Sequence, residues 1–383
     1  MKLAYLTYND QPSGVYASQV NDVVNYINKE LDGNITLIAF VSIRGFFRHR
    51  SRIRIEVPQA MVLPMIPRAS MYGFSSFLFR LICRLKGIRG VISRNVIASL
   101  IALDAKRKKS VDGVCLDGRG AIAAEWQEFS VVNNERMVRS IHDDERKAVI
   151  DADFRIAVSS QLVNYWRNEF NYASEKHVVI PCTLTSNLEI SVPDESSRAA
   201  ARSTLGYAPD EILIIYSGST AGWQSFTDVR KLVEQWLAEN NKVRMLFLSP
   251  MDSVIGDLMN SHPGKVDCRW VAHTEVYEYL RLGDYGMLYR SDAVTNEVAA
   301  PTKFAEYLAA GLRVLISPGL GDYSDFVTDK NCGVVIGDTG TPELTPTGHE
   351  DRERMCRLAI EYFTKNAFKK DYKRILESLN TEY

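Results

Sequence analysis

Residues 301–317, PTKFAEYLAAGLRVLIS, contain the side chains best suited to bind a phosphorylated ligand. Proline favours the first position of a helix and glycine its end, so the pattern predicts a helix that begins at Pro301 and stops at the following glycine. The unpaired N–H groups of the first turn and the helix dipole favour an anion there. Thr302 adds a hydroxyl and Lys303 a charge, while Glu306 lies on the same helix face. This arrangement suits a diphosphate at the helix terminus and ribose hydroxyls at the glutamate. The alternative is an ordinary amphipathic helix with a surface ion pair.

Four further candidates follow predicted strands in the second half of the chain, where ligands of open parallel sheets bind. Gly218 and Ser219 come after the run ILIIYS, and we interpret them as a phosphate loop, although a simple tight turn is the alternative. Arg290 follows YGMLY and supplies a cation. His273 follows a strand predicted at 268–272, where it is either a ligand contact or a capping or exposed histidine.

The first half of the chain contributes two weaker signals. Gly14 follows a strand at 2–8 and allows the backbone to approach a sugar or diphosphate closely, with a turn as the alternative. Asp117 and Arg119 follow the run GVCLD, with Glu125 nearby. We interpret these three side chains as candidate site residues at the carboxyl end of that strand. A buried structural ion pair explains the aspartate and arginine almost as well.

The elements that position these residues alternate along the chain. Short apolar strand runs separated by helical stretches predict parallel sheets covered by helices. The polar interval 185–211 interrupts this alternation and predicts a linker. We therefore expect an N-terminal domain at 1–185, a C-terminal donor domain at 186–350, and a helical segment at 351–383 that packs back on the first domain.

Composition excludes several classes of protein. The chain has 383 residues with 46% hydrophobic and 24% charged residues, which argues against disorder, collagen and coiled coil. No apolar run reaches the length of a membrane span and the first residues do not resemble a signal peptide, so we expect a cytoplasmic protein. The six cysteines are far apart and show no metal-ligand spacing, so most are expected to be buried thiols.

Charge is distributed unevenly along the chain. Residues 1–110 contain 17 Lys and Arg against 6 Asp and Glu, whereas the remainder contains 29 against 41. Within this basic half, 74–89 predicts a basic amphipathic helix, and basic clusters occur at 44–54 and 106–109. We expect peripheral contact with the anionic inner face of the cell membrane. The alternatives are a core-packing helix with basic outward residues and, less favoured for lack of a binding motif, nucleic acid.

With these motifs the sequence resembles the GT-B glycosyltransferases, especially the retaining family 4 enzymes of bacterial polysaccharide and glycolipid biosynthesis. The resemblance covers nearly the whole chain and rests on the segments 151–160, 178–182, 276–290, 301–317 and 319–327. It implies an α/β architecture of two Rossmann-like, doubly wound parallel-sheet domains facing across a cleft. The implied activity is transfer of a sugar from a nucleoside-diphosphate sugar to a saccharide or lipid-linked saccharide acceptor in surface polysaccharide biosynthesis.

The resemblance also implies roles for individual residues. The segment 116–126 resembles an Asp-x-Arg-Gly followed by Glu in some of these transferases, which implies that Asp117, Arg119 and Glu125 orient the donor sugar or the acceptor hydroxyl. His273 lies where the base-binding loop of the family is expected.

Glu306 matches the second glutamate of a Glu-x7-Glu motif that holds the donor ribose. The first glutamate of the motif is expected at position 298, which is valine here. Glu297 lies one residue before that position and is the candidate for a contact with the donor sugar. Lys303 is expected to stabilise the leaving diphosphate. If the enzyme inverts configuration instead, Asp117 is the leading candidate for a general base.

A second departure concerns the cations that many family members place after the first strand of the donor domain. Ser219 and Gln224 stand at those two positions. Lys303, Arg290 and Arg313 are candidates to supply the missing charge. The departure also motivates a rival hypothesis, a degenerate transferase that only binds nucleotide sugars or acts as a scaffold. A nucleotide-sugar epimerase of the same fold is the other rival.

No cofactor and no metal ion are expected. Asp151-Ala152-Asp153 spells the Asp-x-Asp string that binds metal in another glycosyltransferase fold, but here it precedes a predicted strand. A metal–diphosphate site belongs at the carboxyl end of a strand, so we reject that interpretation. The resemblance likewise implies that cationic side chains and the helix dipole stabilise the leaving group.

Overall fold

The chain divides into two units. The computed structural model describes residues 1–65, 72–129, 135–218, 226–337 and 342–380. The first unit comprises Met1–Asn187 together with Thr364–Tyr383, and the second comprises Leu188–Phe363. The boundary therefore lies two residues beyond the predicted 185. The C-terminal segment is shared, because helix His349–Phe363 belongs to the second unit and helix Lys369–Asn380 to the first.

The described part of the first unit forms a seven-stranded parallel sheet in the order β3-β2-β1-β4-β5-β6-β7. Its strands are β1 Lys2–Tyr8, β2 Ile35–Ser42, β3 Met61–Met65, β4 Ile88–Arg94, β5 Gly113–Gly118, β6 Phe154–Ala157 and β7 His177–Val179. Its helices are Gly14–Tyr16, Asp22–Glu30, Phe46–Glu56, Gly73–Lys86, Asn95–Arg107, Ile122–Glu128, Glu135–Asp151, Ser160–Phe170 and Lys369–Asn380, with a π-helical turn at Ala17–Asn21 and a 3-10 turn at Lys365–Phe368.

Helices cover both faces of this sheet. Successive residues of β1 point to opposite faces, so Leu3 and Tyr5 pack in one apolar cluster and Ala4 and Leu6 in another. This explains why the strands are continuous apolar runs and not alternating ones. Every helix in the described ranges is too short or too polar to span a bilayer.

The described part of the second unit forms a six-stranded parallel sheet in the order β10-β9-β8-β11-β12-β13. Its strands are β8 Ile212–Ser217, β9 Val243–Leu248, β10 Val266–Cys268, β11 Tyr285–Leu288, β12 Arg313–Ile316 and β13 Gly333–Val335. Its helices are Glu195–Thr204, Phe226–Glu239, Ser253–Ser261, Val276–Leu280, Val294–Glu297, Thr302–Ala309, Tyr323–Asp329 and His349–Phe363. In both sheets the strand order reverses beside the first strand, which is the doubly wound arrangement.

A buried ion cluster joins helices to the amino edge of the second sheet. Asp284, immediately before β11, lies 2.9 Å from Arg198, 2.9 Å from Arg202 and 2.8 Å from Arg352. The first two arginines belong to one helix and the third to another. Each of the four residues is at most 9% exposed, so the carboxylate interacts with the guanidinium groups in a medium that screens them little.

Strand positions agree with the sequence prediction in all but one case. The strand predicted at 268–272 is three residues long and ends earlier, at Cys268. The run after it, RWVA at 269–272, has one charged and three apolar side chains, and all four are partly or fully exposed, with Trp270 75% exposed. These side chains are not buried against the sheet, so the run does not form a buried strand. His273 therefore lies in a turn, five residues beyond the strand.

Candidate functional site

Helix Thr302–Ala309 opens at the carboxyl edge of the second sheet, because it connects the parallel strands β11 and β12. Pro301 has an extended conformation and is the N-cap residue. The helix therefore begins at Thr302, one position later than predicted. Among the described residues, no side chain caps this terminus. After the helix, Gly311 adopts a left-handed conformation with φ of 81°, which ends the helix as expected.

Tyr307 fixes this helix to the sheet. Its hydroxyl accepts a hydrogen bond of 3.0 Å from Ser217 N and donates one of 3.1 Å to Met287 O. The ring lies against Gly286, where an added Cβ would meet the ring at 2.2 Å. Burial raises the pKa of Tyr307, so the hydroxyl remains protonated and can donate. The sequence analysis did not identify this tyrosine, since its role depends on contacts with two strands distant in the chain.

The loops at the switch point of the second sheet are held together by polar contacts. Gly218 follows β8 and Arg290 follows the neighbouring strand β11. Arg290 N donates to Ser317 Oγ at 3.1 Å, which joins the ends of β11 and β12. Arg290 Nη1 lies 3.3 Å from Asn296 Oδ1, a contact that holds the guanidinium over this edge. A cation and a buried amide thus flank the place where strand order reverses.

Lys303 and Glu306 form an ion pair on the first turn of the helix. Lys303 Nζ lies 2.6 Å from Glu306 Oε2, and both side chains are about one quarter exposed. Thr302 is half-buried on the same turn. A diphosphate that binds Lys303 and a ribose that binds Glu306 would therefore replace this internal pair. The structure places these three residues on the first turns of one helix, with a contact between Lys303 and Glu306.

Other predicted residues of the second unit lie at different places. Glu297 ends the short helix Val294–Glu297 and is exposed, whereas Val298 is buried, so the Glu-x7-Glu position itself packs in the core. Arg313 was expected to compensate for missing cations, but it begins β12 at the amino edge of the sheet, with its guanidinium 5.6 Å from the Tyr285 ring centre. Because a strand separates it from the carboxyl edge, that expectation was wrong. His273 is exposed in its turn.

The loop after β12 packs against the approach to the helix. Gly321 has φ of 53°, and a Cβ at this position would lie 2.0 Å from Ala299 O. Only glycine fits this contact between the two loops. Ser219 and Gln224, the positions that lack the family's cations, lie outside the described residues.

In the first unit, Asp117 is the centre of a buried charged cluster. It is completely buried at the end of β5 and accepts a short hydrogen bond from the Tyr5 hydroxyl. Arg119 Nε lies 2.8 Å from Asp117 Oδ1, and Arg94 Nη1 lies 3.6 Å from Oδ2. Burial and the charge of Asp117 raise the pKa of Tyr5 well above its usual value, which keeps the hydroxyl a donor. The predicted pair is therefore part of a larger network.

Asp10 connects this cluster to the surface. It lies in the loop after β1, and its Oδ2 is 3.4 Å from Arg94 Nε. Its side chain is 27% exposed, unlike Asp117. Burial raises the pKa of Asp10, with a further contribution from Asp117, although Arg94 opposes this shift. Sequence reasoning missed Asp10 and Arg94, although Asp10 follows β1 and Arg94 ends β4, the two strands that flank the switch point.

The remaining candidates of the first unit have local structural roles. Gly14 is the first residue of helix Gly14–Tyr16, whose N-cap Ser13 accepts a hydrogen bond of 3.3 Å from Tyr16 N. Glu125 lies on helix Ile122–Glu128, and burial raises its pKa. The N-terminus of that helix is occupied by Glu145, which accepts hydrogen bonds from the first two backbone N–H groups. A protein carboxylate therefore already binds where an external anion would.

The Asp-x-Asp string is not arranged around a common point. Asp151 ends helix Glu135–Asp151 and is exposed. Asp153 Oδ1 pairs with Lys106, and its Oδ2 accepts a hydrogen bond of 2.9 Å from Val114 N. Asp153 thus holds a helix and two strands together.

Comparison with known proteins finds likeness in structure only. No family model matches the chain. No curated protein matches it in sequence. HepE of Anabaena, solved with UDP and glucose, is similar over 99% of this chain and 100% of its own, with 13% identity and a TM-score of 0.70. A glycosyltransferase of Rickettsia africae is similar over 100% of this chain and 99% of its own, with 12% identity and a TM-score of 0.70.

Weaker likeness extends to a different class of enzyme. A putative UDP-N-acetylglucosamine 2-epimerase of Listeria monocytogenes is similar over 100% of this chain and 91% of its own, with 10% identity and a TM-score of 0.51. At such identities the likeness is one of fold. Two Rossmann-like parallel-sheet units, together with these neighbours, give the chain the GT-B fold.

Proposed function

We propose that this protein is a glycosyltransferase that moves a sugar from a nucleoside-diphosphate sugar to a saccharide or lipid-linked saccharide acceptor. The observation that carries the proposal is the N-terminus of helix Thr302–Ala309, which no side chain in the described part of the chain caps, with Lys303 and Glu306 on its first turns and Arg290 just after the neighbouring strand β11. The fold shared with HepE, which was solved with UDP and glucose, supports a nucleotide-sugar donor.

Charge stabilisation is the chemistry that this helix terminus offers. As the bond between the sugar and the diphosphate breaks, negative charge grows on the leaving phosphate. The helix N-terminus, Lys303 and Arg290 are positive groups held in place before the reaction, so they stabilise that charge without reorganising. We propose that transfer needs no metal ion for this reason. Glu306 accepts the ribose hydroxyls and holds the nucleoside.

We assign the acceptor side of the reaction to the charged cluster of the first unit. Asp117 and Arg119 are buried and act as positioning groups for Arg94 and Asp10. Retention of configuration remains our proposal from the family resemblance, and in that case the leaving phosphate accepts the acceptor proton. If the reaction inverts, Asp10 is the better-placed base, because its carboxylate is partly exposed and its pKa is raised. The biological setting proposed is surface polysaccharide biosynthesis.

A thermal-shift screen with UDP, GDP, ADP and their sugars tests donor binding. A nucleotide present at one hundred times its Kd stabilises the folded chain by about 2.7 kcal/mol, which raises the melting temperature by several degrees. We expect Glu306→Gln and Lys303→Met to lose most of this shift. Lys231→Met is the matched control, because Lys231 forms a similar i, i+3 pair with Asp228 on another helix.

Transfer itself is measured as release of nucleoside diphosphate that depends on added saccharide acceptor. Loss of this release in the Glu306 and Lys303 variants, with the control unaffected, is the expected result. Binding without any transfer to a panel of acceptors would favour the scaffold hypothesis instead.

The epimerase hypothesis rests on the weaker structural likeness to the Listeria protein. An epimerase needs only the nucleotide sugar, whereas a transferase needs an acceptor. Incubation with the donor alone, followed by NMR of the sugar ring, separates the two. A new epimer of the donor sugar would replace our proposal.

A further inference from the structure

Asn296 is buried in the segment that joins strand β11 to helix Thr302–Ala309. It lies on the short helix Val294–Glu297 and is 2% exposed, whereas the next residue, Glu297, is exposed. Burying an amide costs free energy unless both of its ends find hydrogen-bond partners, so a buried asparagine is bound on both sides. The two partners of Asn296 therefore indicate what this side chain does.

Both ends of the amide are bound within the same loop. Asn296 Nδ2 donates a hydrogen bond of 2.9 Å to Ser291 O, and Asn296 Oδ1 lies 3.3 Å from Arg290 Nη1. A carbonyl oxygen can only accept, so the first contact fixes which end of the amide faces the guanidinium. Aspartate has no N–H group to donate to Ser291, and leucine can neither donate nor accept. Among side chains of this size, asparagine fits both partners.

Arg290 is also held through its main chain. Its N–H group donates to Ser317 Oγ at 3.1 Å. Burial raises the pKa of Tyr216, and the positive charge of Arg290 opposes this shift, so the guanidinium lies near the carboxyl end of β8. Strands β8 and β11 flank the switch point of the second sheet. The contact with Asn296 therefore orients a cation where ligands of such sheets bind.

An amide and a carboxylate affect an arginine differently. The Asn296 oxygen has no net charge, so it binds the guanidinium without cancelling the positive charge. In the first unit, by contrast, Asp117 lies 2.8 Å from Arg119 and 3.6 Å from Arg94, and its negative charge offsets theirs. A cation that stabilises growing negative charge is more effective when its charge is retained and its position is fixed before the reaction.

We propose that Asn296 is a positioning residue that holds Arg290 toward the diphosphate of the donor. Asn296 acts through Arg290 and does not itself contact the ligand. This role rests on the proposed function, because it requires a nucleoside diphosphate at the carboxyl edge of the second sheet. We therefore expect Asn296 to affect binding of the phosphate groups and not binding of the nucleoside.

A double-mutant cycle tests whether the two residues act as a unit. Titration calorimetry measures the Kd of UDP, GDP and ADP for wild-type protein, Asn296→Leu, Arg290→Met and the double variant. For a nucleotide that binds wild-type protein, we expect Asn296→Leu to weaken binding about tenfold, the effect of one hydrogen bond to a charged group, and Arg290→Met at least as much. The double variant should bind no more weakly than Arg290→Met alone, because Asn296 then has no cation to orient. Losses that multiply would overturn the proposal.

Nucleosides separate positioning from a merely structural role. Uridine, guanosine and adenosine lack the diphosphate, so the nucleoside that binds should have the same Kd for wild-type protein and for Asn296→Leu. Inorganic pyrophosphate lacks the nucleoside and should lose about as much affinity as the nucleotide does. Equal weakening of nucleoside and nucleotide would show that the change disturbs the whole site, which contradicts a role through Arg290.

Asn296→Asp tests the effect of charge with almost no change of size. The carboxylate still accepts a hydrogen bond from Arg290, but it cancels the positive charge and repels the diphosphate. We expect a loss of at least about tenfold in nucleotide affinity. This variant also provides the test if Asn296→Leu does not fold. Unchanged nucleotide affinity in Asn296→Asp would refute the proposed role.

Asn28 supplies a matched control in the first unit. Its amide also uses both ends, since Oδ1 accepts from Ile35 N at 2.8 Å and Nδ2 donates to Ile35 O at 2.9 Å. Asn28→Leu should lower the melting temperature and leave nucleotide binding unchanged. A loss of nucleotide affinity equal to that of Asn296→Leu would show an effect of general destabilisation and would contradict the proposal.

Failure of this role is distinct from failure of the proposed function. Wild-type protein that binds none of the nucleotides would contradict both. Nucleotide binding that is lost in Glu306→Gln but kept in Asn296→Leu and Asn296→Asp would contradict only the role of Asn296.

Discussion

Asp117 and Asp10 are two carboxylates of one cluster with different surroundings. Asp117 is completely buried beside Arg94 and Arg119, while Asp10 reaches solvent. Replacement Asp117→Asn leaves two buried guanidinium groups without their shared counter-charge, so we expect the free energy of unfolding to fall by roughly 3 to 5 kcal/mol. Asp10→Asn should cost less than about 1 kcal/mol. Urea unfolding measures the free energy of unfolding of both variants. Similar losses in the two variants would contradict a buried Asp117 and a partly exposed Asp10.

Glu145 makes stability depend on pH. Burial raises its pKa from 4.5 to about 7, although hydrogen bonds from Ala123 N and Ile122 N oppose the shift. Between these two values the folded chain retains a proton that the unfolded chain has lost, so the free energy of unfolding falls as pH rises. The full cost above pH 7 is roughly 3 kcal/mol. Glu145→Gln should remove this slope, measured by urea unfolding at pH 5 and pH 8, whereas the exposed Glu169→Gln should retain it.

At the scale of elements, helix Thr302–Ala309 is positioned by close approach of Tyr307 to Gly286. Gly286→Ala would force a Cβ to within 2.2 Å of the ring, so we expect a loss of more than about 2 kcal/mol and weaker nucleotide binding. Gly256→Ala is the contrasting change, because that glycine lies within helix Ser253–Ser261 with open space around it. It should stabilise the chain by about 0.5 to 1 kcal/mol. Thermal unfolding of both variants, with and without nucleotide, measures their stability and their nucleotide binding. Stabilisation by Gly286→Ala would disprove the contact between Gly286 and the Tyr307 ring.

At the scale of the whole molecule, the chain returns to its first unit after completing the second. Leu379, on the last helix, packs over Gly90 and Gly113 of β4 and β5. Leu379→Ala should lower the stability of the first unit by roughly 2 to 4 kcal/mol, because it leaves a cavity above two glycines that have no side chains to fill it. The exposed Glu377→Ala is the control. Hydrogen exchange should quicken in β4 and β5 but not in the second sheet, and uniform quickening would show that the units unfold together.

The sequence by itself determined the two parallel sheets, since each apolar run is short, is followed by a helical pattern, and must be buried on both faces. It also determined that Thr302, Lys303 and Glu306 share one helix face, because their spacing is local. The run at 268–272 misled the prediction because its apolar side chains, Trp270 above all, stay exposed, and the sequence does not show whether an apolar run is buried.

Only the tertiary structure decided the contacts between residues distant in the chain. Tyr307 acts on two strands, Asp10 and Arg94 meet Asp117 through sheet order, and Arg313 lies at the far edge of the sheet from the predicted site. Helix Gly73–Lys86 has a buried and an exposed apolar face, a division that also emerged only there, because periodicity shows that a helix has apolar residues on a face but not which of two faces the sheet covers. Local spacing is encoded along the chain, whereas register and burial depend on which elements become neighbours.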